Sequence, residues 1–294
     1  VVAKGNKTKT CRVNMMRVRK AIIPAAGMGT RMLPITRAQP KEMVPVVHKP
    51  VIQYVVEEAY YSGIRDILII TGRGKRAIED HFDRSVHSKA EKYSEELDRI
   101  LDEVNIFFVR QKEQRGLGDA VRYGESFVDE EPFALLLGDT ITLPPCTREL
   151  IDIHQKYKTS IVAVEEVPAD KVGMYGIVKV RELDEGVHLI DDLVEKPSVE
   201  EAPSNLAILG RYILNPEIFE CIRNTKPGRK NEIQLTDAMR ILNTRERMHA
   251  YVFRGRRFDI GNKMDWLKAN IELAVEDEEL GDGIREFIEE VMKR

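Results

Sequence analysis

No aspartate or glutamate occurs before Glu42, although Lys4, Lys7, Lys9, Arg12, Arg17, Arg19, Lys20, Arg31, Arg37 and Lys41 all precede it. Cysteine is equally scarce. Cys11, Cys146 and Cys221 stand alone and never at C-x-x-C spacing, which argues against a disulfide framework or a structural zinc and for a reducing compartment. No stretch approaches the roughly 20 apolar residues that a membrane helix needs. Residues 1–17 hold no apolar core of the signal-peptide kind. A cytoplasmic location with no membrane partner is the expectation. G-x-S-x-G, H-E-x-x-H and Cys–His signatures are missing too, so a serine, zinc or cysteine hydrolase is disfavoured. There is no internal repeat and no low-complexity linker.

What is present is ordinary in amount and informative in order. Of 294 residues, 43% are hydrophobic and 32% charged, enough to bury a real core. A net charge of −3 gives no pull toward nucleic acid. Residues 1–17 read as a disordered basic tail, or as sequence upstream of a start at Met15 or Met16. They lack the amphipathic pattern of a transit peptide. Residues 18–262 read as one elaborated domain, and 263–294 as a charged, helical C-terminal segment.

Short apolar runs alternate with amphipathic stretches through the first half. Ala21–Ile23, Asp66–Thr71, Asn105–Val109 and Phe133–Leu137 are predicted strands. A helix follows Pro50 and ends at Gly63, another follows the spacing Ala90, Tyr93, Leu97, Ile100, Leu101 and Val104, and a third starts near Leu117. Continuous apolar strands between helices imply an α/β fold with a doubly wound, mostly parallel, Rossmann-like sheet flanked by helices. The second half adds strands at 160–167, 175–180, 188–194, 206–214 and 248–253, with helices near 216–223 and 235–242. The second half is thus a more mixed, β-containing part.

In such sheets ligands bind beyond the carboxyl ends of the strands, so the residues that follow each strand matter most. Gly27-Met28-Gly29-Thr30-Arg31 follows the first strand. Met32 stands where both G-x-G-x-x-G and G-x-x-x-x-G-K-[ST] require glycine, which disfavours a dinucleotide dehydrogenase or P-loop ATPase. The glycines serve either a phosphate-approaching loop or a tight turn. Gln111 and Gly116 follow the third strand. Gly138-Asp139 follows the fourth, and Asp259 sits in a similar Asp-Ile-Gly setting far along the chain. A carboxylate at a strand end is either a turn residue or a ligand for a hard cation such as Mg²⁺. Spacing alone does not say whether Asp139 and Asp259 meet.

The combination says more than its pieces. IIPAAGMGTRMLP around Gly27–Arg31, then Gln39-Pro40-Lys41-Glu42-Met43-Val44-Pro45 and Lys49-Pro50, resembles the signature of the sugar-1-phosphate nucleotidyltransferases. Glu195-Lys196-Pro197, Ser204-Asn205-Leu206, Asn231-Glu232-Ile233-Gln234-Leu235-Thr236-Asp237 and Asp259-Ile260-Gly261-Asn262-Lys263 continue it in consistent order from about residue 18 to about 270. The uridylyltransferases of that family are the nearest likeness. The resemblance implies transfer of a uridylyl group from UTP to glucose 1-phosphate, with Mg²⁺ as cofactor, by direct in-line attack without an enzyme nucleophile. It implies that Arg31 and Lys41 neutralise the departing pyrophosphate. Ala26, Gly27, Gly29, Thr30, Gln111, Gly116 and Gly138 would border the nucleotide, with Gln111 and Gly116 reading the uracil edge. Asp139 and Asp259 would hold the metal. Lys196 would grip the phosphate of the sugar phosphate, with Glu195, Asn205 and Gly176 at sugar hydroxyls. A homodimer or homotetramer is implied as well.

One departure touches the nucleotide. Gly138 stands where the uridylyltransferase pattern has proline, and Gly138-Asp139 is closer to thymidylyltransferases, which use dTTP. A non-catalytic nucleotide-sugar sensor is the remaining alternative, against which the retained Arg31, Lys41, Asp139, Lys196 and Asp259 argue.

Overall fold

The computed structural model describes residues 17–83 and 92–294. The basic tail through Met16, with Cys11, and the expected helical position Ala90 lie outside the described residues. Along the chain run β1 (Lys20–Pro24), β2 (Pro45–Val46), β3 (Lys49–Pro50), α1 (Val51–Tyr61), β4 (Asp66–Thr71), α2 (Arg76–Phe82), α3 (Lys92–Glu103), β5 (Asn105–Arg110), α4 (Leu117–Arg122), α5 (Glu125–Val128), β6 (Phe133–Leu136) and β7 (Thr140–Leu143). Then follow α6 (Thr147–Tyr157), β8 (Ile161–Glu166), β9 (Gly176–Asp184), β10 (Val187–Glu195), β11 (Leu206–Leu214), α7 (Glu217–Asn224), α8 (Leu235–Glu246), β12 (His249–Val252), β13 (Arg256–Asp259), α9 (Lys263–Glu276) and α10 (Gly281–Met292).

Nine strands form one sheet in the order β5-β4-β1-β6-β11-β8-β12-β10-β9. Strand β1 pairs in parallel with β4 and β6, and β4 with β5. This is the half in which continuous apolar runs predict parallel strands. Beyond β6 the sheet is mixed: β11 runs antiparallel to β6 and β8, β12 parallel to β8, and β10 antiparallel to β12 and β9. Two layers of helix cover it because strand side chains alternate in direction. Ala21, Ile23, Ile67 and Ile69 enter a core with Val55, Val56, Ile100 and Leu150. Ile22, Leu68 and Ile70 face the other way, onto Val121, Phe219, Leu235 and Leu242. Each fully buried aliphatic side chain contributes roughly 1.5–3 kcal/mol.

Two local devices position the site. Helix α1 stops at Gly63, whose φ of 93° is open to glycine, and the N–H of Ile64 bonds back to Ala59 O at 3.1 Å. The chain is thereby turned straight into β4. The second device is absent from the sequence reading: β7 and β13 pair antiparallel as a separate ribbon, with Asp259 opposite Thr140. Ile141, Phe258 and Ile260 pack there with Val46, Val51 and Ala269 of α9. Helix α9 is fastened by Trp266 Nε1, which donates to Pro45 O at 2.9 Å, and by Asn270 Oδ1, which accepts from the Val47 N–H at 3.0 Å.

Candidate active site

The loop after β1 folds back over a single lysine. Ala25 extends the strand by donating to Ile70 O at 2.8 Å, and the chain then leaves the sheet. Gly29 has φ 67°, and a Cβ there would lie 3.2 Å from Lys41 Cβ and from Thr36 Cγ2. A Cβ on Gly27 would face Lys41 Cε and Nζ at 3.5 Å. Glycine is needed at 29 for both reasons, handedness and closeness. Three short 3₁₀ turns, Thr30–Met32, Ile35–Arg37 and Lys41–Met43, replace the long helix that follows the glycine loop of dinucleotide-binding folds.

The β7–β13 ribbon then settles the question that spacing leaves open. Asp139 precedes β7, Asp259 ends β13, and the Ile260 N–H bonds to Asp139 O at 2.9 Å. A Cβ on Gly261 would lie 2.6 Å from Asp259 Oδ1, 2.7 Å from an Arg31 guanidinium nitrogen and 3.4 Å from Asp139 Oδ2. The two carboxylates and Arg31 thus surround one point. Lys41 Nζ hydrogen-bonds Asp139 Oδ2, and Arg31 lies 3.7 Å from Asp259 Oδ2. Burial works against the charge of Lys41, but the Asp139 and Glu42 carboxylates outweigh it and lift the lysine above its ordinary value. Burial also pushes Asp139 up, and Lys41 and Arg31 more than reverse this, leaving it below the usual range. For Asp259, burial and the neighbouring Asp139 push up, and Arg31 with the Gly261 N–H offsets only part. The two aspartates therefore differ in proton affinity.

Beneath the aspartates lies a second, dry charge cluster. Arg211 is 1% exposed, and its Nε and one terminal nitrogen donate to Glu58 Oε2 at 3.0 and 2.8 Å. The same guanidinium donates to Thr140 O at 2.7 Å and Leu137 O at 3.5 Å, carbonyls on either side of Gly138-Asp139. The other Glu58 oxygen accepts from Thr147 Oγ1 at 2.6 Å and from the Thr147 and Cys146 N–H groups. Burial raises the Glu58 carboxyl, and Arg211 and Thr147 bring it below its ordinary value. This pair clamps the segment that presents Asp139. Gly138 belongs to that packing, since a Cβ would meet Pro24 O at 3.1 Å.

Gln111 continues β5, with its N–H on Thr71 O at 2.9 Å, and its side chain is buried against α4. Gly116, φ 104°, and Gly118 lie so close to the segment 232–234 that a Cβ would meet Ile233 O at 2.6 and 2.9 Å. Arg115 O accepts from the Ile233 N–H at 2.7 Å, and the Gly118 N–H donates to Ile233 O at 2.9 Å. The Gly27–Thr30 loop, Lys41, Gln111, Gly116 and Asp139 together border a cleft of about 470 Å³.

A smaller cavity of about 180 Å³ adjoins it, sharing Lys230 and Glu232. Glu195 and Lys196 border it. Lys196 holds φ 46°, bonds Tyr175 O through its N–H at 2.9 Å, and pairs its ammonium with Glu195. Glu195 Oε2 accepts from Thr236 Oγ1 at 2.6 Å, and a Cβ on Gly176 would sit 2.8 Å from that hydroxyl. Gly176, Glu195 and Lys196 are thus brought together. Asn205 is not: it is exposed, borders neither cavity, and its carbonyl accepts from Val167 N–H at 3.0 Å. A larger cavity, about 490 Å³, lies at the opposite end of β1 beside Arg19 and Arg148 and holds none of these residues.

The family model of the nucleotidyl transferases matches residues 20–276. The chain belongs to the nucleotidyl transferase family. Its relatives include proteins named UTP–glucose-1-phosphate uridylyltransferase. That of Bacillus subtilis is 49% identical over 95% of this chain and 97% of its own length. One from Staphylococcus epidermidis is 45% identical over 94% and 99%. A crystal structure of UDP-glucose pyrophosphorylase complexed with UDP-glucose superposes with TM-score 0.85 at 45% identity, covering 88% of this chain and all of that one.

For a family that joins two phosphates, the cleft's charges are the relevant chemistry. Arg31 and Lys41 are two cations set against the two carboxylates of Asp139 and Asp259. Among the described residues no group of three or more His, Cys, Asp or Glu could hold a metal alone. Glu58, Arg211 and Asp119 have no role in the sequence reading, and Thr236 appears there only within the 231–237 motif. The signal for Glu58 and Arg211 is their residue type at buried positions, a glutamate inside an apolar helix face in α1 and an arginine inside the apolar run of β11.

Proposed function

We propose that the chain transfers the uridylyl group of UTP to glucose 1-phosphate, releasing pyrophosphate and forming UDP-glucose, with Mg²⁺ as its metal. The observation that carries this reading is the convergence of Arg31, Lys41, Asp139 and Asp259 beside a cleft that Lys41 and Asp139 border and that adjoins the cavity at Glu195 and Lys196. Mg²⁺ is held by one or two carboxylates plus substrate phosphates, so Asp139 and Asp259 would suffice to hold it, and the ion would supply charge neutralisation at the triphosphate.

The phosphate oxygen of glucose 1-phosphate attacks the α-phosphorus of UTP. A P–O bond forms there, the α–β bridging bond breaks, and pyrophosphate leaves with the electron pair. A phosphate monoester has its second pKa near ~6, so no base must remove a proton. Lys196 orients the attacking phosphate, and Glu195 and Gly176 border its sugar. Arg31 and Lys41 take up charge on the leaving pyrophosphate, and Asp139 and Asp259 are the carboxylates that would hold the metal. Catalysis comes from placement and electrostatics. Asn205 reaches a sugar hydroxyl only with a shift of its loop.

UTP is chosen over dTTP because the relatives at 45–49% identity carry the uridylyl name. Residues 263–294 are read as the self-association segment of a homodimer or homotetramer. Helices α9 and α10 leave an apolar groove of about 590 Å³ between them, with Phe287 58% and Met292 81% exposed. The two described cysteines, both free and buried, accord with a cytoplasmic setting, and no helix among the described residues is long and apolar enough to cross a membrane. Pyrophosphate release from UTP, dTTP, CTP, GTP and ATP, each with glucose 1-phosphate and Mg²⁺, tests the reading. UTP should lead the series. A dTTP preference would move the substrate, and no turnover from folded protein would leave a nucleotide-sugar sensor.

A further inference from the structure

A primary amide has a donor end and an acceptor end, whereas a carboxylate only accepts. Gln111 and Asp119 are each 4% exposed, and Gln111 Nε2 donates to Asp119 Oδ2 at 2.8 Å. The other carboxylate oxygen accepts from the Arg122 guanidinium at 3.0 Å. Turning the amide round would set two acceptors against each other in a buried place, so one orientation of Gln111 is satisfied and the other is not. Asp119 itself stands on fixed backbone: it lies in the first turn of α4, next to Gly118, whose N–H is bound to Ile233 O. Gln111 Oε1 has no hydrogen-bond partner among the described residues, and Gln111 borders the nucleotide cleft.

We propose that Asp119 is a positioning residue for base selection: by holding the Gln111 amide nitrogen it commits Oε1 to the cleft as an acceptor. Uracil presents a donor, its N3–H, to that oxygen. Cytosine presents an N3 acceptor, and the two lone pairs repel. The inference deepens the proposed uridylyl transfer and rests on it, together with the expectation that Gln111 reads the uracil edge. Asp119 touches neither substrate. It works through the amide it orients, and Arg122 works through Asp119.

The test compares kcat/KM for UTP and CTP in Asp119→Asn and Asp119→Glu. Asparagine can face Gln111 with either end, so the amide is free to turn and the UTP-over-CTP ratio should fall at least about tenfold, mainly through better use of CTP. Glutamate keeps an acceptor-only group and should hold the ratio within about threefold. KM for glucose 1-phosphate should stay unchanged in both. A folded Asp119→Asn enzyme with the wild-type ratio overturns the proposal, because a packing role alters stability and not selectivity. Asp119→Ser, whose hydroxyl also donates or accepts, replaces it with the same expectation if Asp119→Asn does not fold. Gln111→Ala separates the two layers of the argument. An unchanged ratio in that variant removes the base contact itself, and the role of Asp119 with it.

Discussion

Two charge clusters lie on either side of the Leu137–Thr140 segment, and they are built on opposite rules. Glu58 and Arg211 are fully enclosed, and each polar atom named above has a partner supplied by the protein. Arg31, Lys41, Asp139 and Asp259 are partly open, and Arg31 is 59% exposed in its side chain. A buried pair in a closed shell has nothing left to offer a ligand, and breaking it strands a charge. An open set of two cations and two carboxylates can exchange partners with a metal–triphosphate. The comparison teaches where chemistry can reside: in the cluster that is buried enough to shift proton affinities and open enough to be re-paired.

The comparison is broken most severely by Glu58→Gln, which leaves Arg211 charged and enclosed. It should destabilise the fold by about 3–5 kcal/mol, read as a drop in the denaturant midpoint. The same carboxyl makes a pH prediction. Its folded pKa lies below its unfolded value, so its contribution is present above the ordinary glutamate range and is lost as pH falls through the folded value. Acid unfolding curves of wild type should show this limb, and those of Glu58→Gln should lack it.

Lys41→Met examines the open cluster. It should lower kcat/KM about 10²–10³-fold, the cost of removing one group aimed at developing charge, with a far smaller change in unfolding midpoint than Glu58→Gln. A variant that unfolds without losing specific activity would place Lys41 in the structural class. Lys196→Ala is expected to raise KM for glucose 1-phosphate roughly tenfold or more, as loss of a hydrogen bond to a charged group does, and to leave KM for UTP in place. The smallest effect is expected from Asn205→Ala. That residue borders neither cavity, so steady-state constants within about twofold of wild type would agree with its exposed position and the ordinary outcome of surface substitution.

The parallel half of the sheet was readable because Ile22, Ile69 and Leu135 sit in continuous apolar runs bounded by glycines. Gly29 and Asp139 stood out as candidates because they follow strands closely, whereas Lys41, 17 residues beyond the end of β1, stood out only within the 39–45 motif. The pairing of β7 with β13 was not readable. Its strands are four residues each, the Asp-Ile-Gly around Asp259 looks like a turn, and 112 residues lie between the end of β7 at Leu143 and the start of β13 at Arg256, a distance over which no periodicity speaks. The clamp was hidden for another reason. A glutamate in α1 and an arginine in β11 look solvated until the fold brings them within 2.8 Å.

The central claim is that the open cluster promotes direct transfer between two bound phosphates without an enzyme nucleophile. Isotope exchange tests it most directly: the enzyme is incubated with UTP, Mg²⁺ and labelled pyrophosphate, with glucose 1-phosphate absent. Direct attack predicts no label in UTP until UDP-glucose is added, when the reverse reaction carries label into UTP. Rapid labelling without any sugar nucleotide would mean that the uridylyl group rests on the protein, and would contradict the account.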